Sequence, residues 1–390
     1  MSDHARISPS KLERIMACPA SVGLSEHLPP SASSSYAEEG TLLHAICAEC
    51  LERRPEYNLD AIQWDEPEHR FLVSQCLGEV DKILSNMVSF QLFQDTRVFM
   101  KDIDCNGTLD VGIYGWAEDK SSLEKISPEI HIIDFKFGGG IEVFPQDNPQ
   151  LMAYLDGFCD SLSHDYVANP HIPMYVWIFQ PRLQKFESER IFAEDLQYFR
   201  QRLEKTIRLA DGRNPPFHPE HPSRPCRWCP AGAVCKHRMA NVKNTAIEAL
   251  EAHADIASWD NSIESIQSLA TLLRLKSSIS SAMEAIEHHL FTQLSRGHKV
   301  PGYKLVSGRA RRQWAHGVDA FTLNDMFPQL DTLDLVKSDL RSPAQVEKLL
   351  NKEDREALAE LIIRVEGEPT MAPESSVKEA LNPFAEVTGD

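Results

Sequence analysis

Between His131 and Tyr154 the chain reads H-I-I-D-F-K-F-G-G-G-I-E-V-F-P-Q-D-N-P-Q-L-M-A-Y, and three backbone regimes follow one another inside it. Ile132, Asp134 and Lys136 alternate with Ile133, Phe135 and Phe137, the two-residue period of a pleated strand, so a carboxylate and an ammonium share one face. Gly138, Gly139 and Gly140 lack a Cβ and let the chain turn sharply or approach other backbone closely. Pro149 then opens an apolar-periodic segment in which Gln150 and Tyr154, four apart, share a helical face. The stretch predicts strand, glycine turn and helix in succession.

The remaining chain arranges itself around that unit. Residues 7 to 17 predict a helix with Ser8 as N-cap and Pro9 in its first turn, ending at Cys18-Pro19. A Ser/Pro-rich loop, S-E-H-L-P-P-S-A-S-S-S, separates it from an amphipathic helix starting near Gly40 or Thr41, with His44, Ala48 and Leu51 on its inner face. A second long helix is expected over 66–89. Strands follow at T-R-V-F-M near residue 98 and at 107–116, where Thr108, Asp110 and Gly112 oppose Leu109, Val111 and Ile113. After the His131 strand come a helix over 148–163, a strand P-M-Y-V-W-I-F-Q and a helix over 194–211. The pattern is α/β, a mixed central sheet flanked by helices. Three regions are expected: a body over 1–240, a mostly helical region over 241–365 with a basic, aromatic hairpin near 301–315, and a polar, loose tail over 366–390.

A chain of 390 residues, 42% hydrophobic and 25% charged, has the material for a sizeable core. Its formal net charge of −18 excludes a general polycation, so any nucleic-acid contact needs a local basic groove. Neither a membrane span nor a signal-peptide core is visible, and a cytoplasmic location is expected. Nine cysteines in a reducing compartment point to metal binding or packing rather than disulfides.

Four groups of residues carry chemistry. An acid and a lysine two apart on a strand suit phosphodiester hydrolysis, the carboxylate holding a divalent metal and Lys136 orienting or helping to deprotonate water. His44, Asp110 and Asp134 complete an oxygen and imidazole set suited to Mg2+ or Mn2+; taken singly, each reads as an ordinary packed or solvated side chain. Cys226, Cys229 and Cys235, spaced C-x2-C-x5-C, want a fourth thiol, for which Cys18 is the distant candidate; an iron-sulfur cluster and a structural zinc, with His237 as alternative ligand, both fit. Cys47, Cys50, Cys76, Cys105 and Cys159 read as packing residues. Gln150 and Tyr154 suit hydrogen bonds to phosphate or base edges, and Lys304, Arg309, Arg311, Arg312 and Trp314 suit either a nucleic-acid backbone or a solvated hairpin.

Together these residues resemble the PD-(D/E)xK nuclease superfamily in its RecB-like, iron-sulfur branch, which includes the AddB nuclease domain and CRISPR-associated exonucleases. The likeness rests on His44, G-T-L-D ending at Asp110, D-F-K at Asp134 and Lys136, Q-x-x-x-Y at Gln150 and Tyr154, and the cysteines at 18, 226, 229 and 235. The whole chain also resembles a phage and prophage family carrying only an unknown-function label, through S-P-S-K-L-E-R-I-M-A-C-P-A-S, Y-A-E-E-G-T-L-L-H-A and P-G-Y-K-L-V-S-G-R-A-R-R-Q-W. The resemblance implies a restriction-endonuclease-like core and catalysis by Asp110, Asp134 and Lys136. It implies Mg2+ or Mn2+ held by His44, Asp110, Asp134 and the main-chain carbonyl of Phe135, and a 4Fe-4S cluster on Cys18, Cys226, Cys229 and Cys235 tying together the ends of the nuclease domain. Many relatives carry Glu where Asp134 stands; Asp lies within the pattern. The expected activity is a DNA exonuclease on single strands or ends, with phage replication or recombination proteins as partners; the alternative is a catalytically silent DNA-binding or scaffold protein of the same fold.

Overall fold

The alternating run that ends at Phe135 forms the middle strand of a five-stranded sheet in the computed structural model. The strands are β1 (Met87–Phe99), β2 (Asn106–Glu118), β3 (Ile126–Phe135), β4 (Met174–Gln180) and β5 (Lys185–Ile191), ordered β1-β2-β3-β4-β5. β3 and β4 run parallel and the other neighbours antiparallel. A parallel pair needs a crossover, and α5 (Pro149–Ser161) lies on it, capped by the Asn148 side chain, which accepts from the amides of Gln150 and Leu151. The structure describes residues 6–28, 35–64, 66–100, 102–118, 126–138, 141–162, 172–218, 224–227, 229–254, 263–315, 318, 320–329, 342–350, 352–376 and 378–381.

From Ile130 to Phe135 both faces of β3 are buried, and its apolar residues there, Ile130, Ile132, Ile133 and Phe135, divide between two cores. Ile130 and Ile132 join a core with Leu12 and Ile15 of α1 (Leu12–Ala17), Leu151 and Phe158 of α5, and Phe199 and Leu203 of α6 (Ala193–Ala210). Ile133 and Phe135 join another with Leu43 and Cys47 of α3 (Ser35–Glu52) and Leu77 and Val80 of α4 (Pro67–Ser85). Each such fully buried side chain contributes about 1.5–3 kcal/mol. On β2, Gly112 lets α5 approach: a Cβ there would stand 2.7 Å from Phe158 Cε2. Gly112→Ala should therefore lower stability by about 1–3 kcal/mol, seen as a lower urea midpoint at unchanged slope; an unmoved midpoint would mean that Phe158 yields freely.

Several boundaries differ from expectation. The helix expected over 66–89 ends at Ser85, and the chain passes into β1, thirteen residues long where only T-R-V-F-M was expected. α3 begins at Ser35, ahead of Gly40. Ser8 is extended at the N-cap position but makes no side-chain cap bond, and the first turn, Pro9–Lys11, is a 3-10 helix. Strand β5 pairs along all of β4 without having been expected.

The chain divides into two units, Met1–Ala285 and Ile286–Asp390, so the break lies within α9 (Ile263–Ser295) rather than at residue 240. In the first unit α9 follows α8 (Lys236–Ala254). In the second, the expected hairpin near 301–315 is a single strand, β6 (Tyr303–Trp314), paired antiparallel with β7 (Ile362–Pro373). Residues 366–373, expected in the tail, are thus strand; residues 382–390 of it lie outside the described residues. Leu323, Phe327, Val346, Leu350 and Leu358 form this unit's small core. The side chains of Arg309, Arg311 and Arg312, together with Gly139 and Gly140, lie outside the described residues. Among the described residues no helix is long and apolar enough to cross a membrane.

Candidate functional site

β2 and β3 pair with Val111 opposite Ile133, which sets Asp110 beside the end of β3. There the Phe135 amide donates to Asp110 Oδ2 at 2.7 Å, while Asp110 Oδ1 stands 3.1 Å from His44 Nδ1 on α3. The Lys136 amide donates to the Phe179 carbonyl at 2.8 Å, extending the β3–β4 pairing one residue and fixing the backbone that carries the lysine. Lys136 Nζ lies 2.8 Å from Asp134 Oδ2 and donates to Gln150 Oε1 at 3.2 Å. Gln150 Nε2 donates in turn to Asp134 Oδ1 at 2.8 Å and to the Tyr154 hydroxyl at 3.4 Å. The sequence-selected residues thus form two adjoining sets of polar contacts, His44 with Asp110 and the Phe135 amide, and Asp134 with Lys136, Gln150 and Tyr154, which meet at the β3 backbone around Phe135. At Phe135 the contact is through the amide N–H, whereas the resemblance names the carbonyl.

Burial dominates the electrostatics. It raises the Asp134 pKa; Lys136 opposes this and Asp110 adds to it. Burial works to lower Lys136, but the adjacent Asp134 carboxylate more than offsets it and the ammonium is held above its ordinary value. For His44 the penalty of burial is likewise overcome, by the hydrogen bond and charge of Asp110, and its pKa is raised. Burial also lifts the Tyr154 hydroxyl well above the usual range, so it remains a neutral donor.

Sequence reading missed the clamp that holds this site. Arg182, after β4, donates through Nη2 to Glu39 Oε1 at 2.6 Å, and through Nη1 to Glu39 Oε2 at 3.1 Å and to the Phe137 carbonyl at 3.0 Å. Buried His69 approaches Glu39 Oε1 at 2.9 Å. The Arg182 hydrogen bonds hold the Glu39 carboxyl below its ordinary range. Glu39 lies five residues before His44 on α3, so the clamp ties the histidine's helix to the residue after Lys136. A glutamate and an arginine so far apart in the chain carry no spacing signal.

The cysteines expected to act together line one cavity. Cys18 ends α1, Cys226 lies in the short helix Arg224–Arg227 (α7), Cys229 opens a 3-10 turn and Cys235 precedes α8. The Ala20 amide donates to the Pro216 carbonyl at 3.1 Å, and α1 packs on α7, which brings the distant thiol to the other three. Burial raises the Cys18 and Cys229 pKa values; backbone hydrogen bonds from His218 and Ser21 oppose this at Cys18, and the Arg14 charge opposes it at Cys229. His237 stacks on Phe217, 4.7 Å between ring centroids, and does not line the cavity. The other five cysteines are buried and in no disulfide, as packing residues should be, and burial pushes the Cys105 thiol up to about 12.

Among the described residues no group of three or more His, Cys, Asp or Glu side chains stands ready to hold an ion. The donor chemistry nevertheless fits metal at both places. Asp134 Oδ2 is buried and receives an ion pair but no hydrogen bond, and Asp110 and His44 add hard oxygen and imidazole donors nearby. At the cavity, four thiols meet two arginines whose Nε atoms are buried without a hydrogen-bond acceptor.

A family model described as "Protein of unknown function (DUF2800)" matches residues 4–90 and 116–379. Among solved structures, one titled "Crystal structure of SSO0001" matches at 14% identity over 61% of this chain and 88% of that one, with a TM-score of 0.28, a likeness that carries no weight for fold or function.

Proposed function

The chain belongs to the DUF2800 family, whose description assigns no chemistry, and we propose from its site residues that it is a metal-dependent deoxyribonuclease of the PD-(D/E)xK, RecB-like kind, cutting single strands or DNA ends. The observation that carries this is the gathering of Asp134, Lys136, Gln150 and Tyr154 in one set of polar contacts at the end of β3, beside the Asp110–His44 pair that is held to the Phe135 amide. Asp110, Asp134 and His44 would hold Mg2+ or Mn2+, which supplies Lewis acidity toward a phosphoryl oxygen and lowers the pKa of bound water.

The chain's own residues do the remainder. Lys136, held protonated by Asp134, offers its ammonium to the charge that develops on the phosphoryl group. Gln150 keeps Lys136 and Asp134 in register by bonding both, and it also donates to the Tyr154 hydroxyl. Gln150→Ala should lower cleavage by about 10–100-fold, the usual cost of removing a partner that orients a metal ligand. Equal rates for the two proteins under single-turnover conditions would remove Gln150 from the machinery. Cytoplasmic action with phage replication or recombination proteins belongs to the same proposal, through the resemblance of the whole chain.

The decisive experiment incubates the purified protein with end-labelled and circular DNA, single- and double-stranded, with Mg2+, Mn2+ or EDTA. Loss of labelled ends that requires metal and spares circles supports an exonuclease. An intact substrate under every metal would favour a silent binding or scaffold protein of this fold.

A further inference from the structure

Among the described residues, the most deeply buried charged residue is not at the carboxylate site. Arg238, on α8, is 1% exposed and lines the cysteine cavity. Its backbone amide donates to Cys235 Sγ at 3.4 Å, Nη1 donates to the Cys226 carbonyl at 3.2 Å, and Nη2 donates to Ser281 Oγ at 2.8 Å. Nε is buried with no acceptor. Room for the guanidinium exists because residue 232 is glycine: a Cβ there would stand 2.6 Å from Nη1. Arg14, on α1, lines the cavity from the Cys18 side, and its Nε is also buried without an acceptor. Among the described residues neither arginine forms an ion pair with a carboxylate.

Burying a guanidinium without an anion is strongly unfavourable, and the cavity's neutral thiols do not compensate it. Four thiolates around a divalent metal, or around a doubly positive iron-sulfur core, carry a net charge of two minus, which two guanidiniums balance. We propose that Arg14 and Arg238 are the built-in counter-charges of a four-thiolate metal centre on Cys18, Cys226, Cys229 and Cys235, each offering its unpaired Nε–H toward the sulfur cage. The proposal rests on the metal-binding assignment of the cysteines and is independent of the nuclease assignment. It makes the arginines positioning residues, and it gives the metal-free protein a specific defect, an uncompensated buried charge that loading relieves.

The test uses the full chain, purified metal-free and loaded with Zn2+ alone as probe, in wild type, Arg238→Met and Arg14→Met. Zinc affinity is measured by competition with a chromophoric chelator, and thermal midpoints are measured for both forms. Both variants should bind zinc about 10–100-fold more weakly. In the metal-free state their midpoints should equal or exceed wild type, since an unpaired charge has been removed; in the loaded state they should fall below it. A merely structural arginine would lower both midpoints together, and that result, or unchanged zinc affinity in both variants, would overturn the proposal. Should Arg238→Met not fold, Arg14→Met at the half-buried rim gives the same comparison, and Arg238→Lys, which retains the charge, should keep more of the zinc affinity than Arg14→Met does. Wild type that binds no zinc, when Cys229→Ala behaves identically, would remove the thiolate centre and its counter-charges without touching the DNA-cleavage result.

Discussion

Asp134→Asn should abolish metal-dependent DNA cleavage to within a factor set by background, a loss on the order of 10²–10⁴-fold or more, while the protein stays folded. The carboxylate is 3% exposed and answers to three groups: Lys136 at 2.8 Å, the Gln150 amide at 2.8 Å and, for chemistry, the cation it would share with Asp110. An amide in its place retains the shape but cannot neutralise Lys136 or hold a hard cation. Stability separates the roles. Lys136→Met leaves Asp134 buried beside Asp110 with no opposing ammonium, a loss of about 3–5 kcal/mol by analogy with broken buried pairs. Asp134→Asn costs less, because Lys136 retains 30% side-chain exposure and Gln150 as an acceptor. The double variant should therefore be more stable than Lys136→Met and no less inactive than either single variant, as expected of groups that act as a unit. Full activity in Asp134→Asn would remove the site assignment altogether. Activity losses that multiply in the double variant would mean that the two side chains act separately.

What was legible in the sequence was local. The two-residue alternation around Asp134 and the four-residue spacing of Gln150 and Tyr154 report backbone geometry directly, so both elements lie where expected, and Asn148-Pro149 marks the start of α5. The pairing of Lys136 with Gln150 depends on how α5 crosses β3, a tertiary fact that periodicity does not carry. The same limit explains β6 and β7. A basic, aromatic, glycine-punctuated stretch looks like a hairpin by its own composition, but its partner strand, Ile362–Pro373, runs across the end of the expected helical region and into the expected polar tail. Residues 87–94, M-V-S-F-Q-L-F-Q, are apolar at both the helical and the strand period, so a helix can be read on into them, and the edge strand β1 decides between the two only through its pairing with β2. Arg238 gave no signal: a lone arginine in a helical run reads as solvated surface, and its burial follows from Gly232 and the cysteines around it.

The cysteine cavity carries the second large effect. Cys18 and Cys226 are about two hundred residues apart, so a centre that binds both closes a very long loop and constrains the unfolded chain more than a local knot would. Metal present at about a thousand times its dissociation constant adds about 4 kcal/mol to the folded state, and in a body of this size that corresponds to about 10 °C in thermal midpoint. Cys229→Ala should lose most of that increment, along with folded yield, because Cys229 opens the turn between Cys226 and Cys235 and its removal leaves three ligands. The contacts among Asp134, Lys136 and Gln150 involve none of these residues, so whatever Cys229→Ala protein folds should keep its carboxylate site. The resemblance to the iron-sulfur branch leads us to propose 4Fe-4S as the resident group: protein purified without oxygen should then be brown, with broad visible absorption that bleaches on reduction. Colourless protein with one zinc per chain would assign a structural zinc to the same four thiols, and the midpoint difference between wild type and Cys229→Ala would remain. A midpoint that does not move when Cys229 is replaced would mean that α1 and α7 are held together by packing alone.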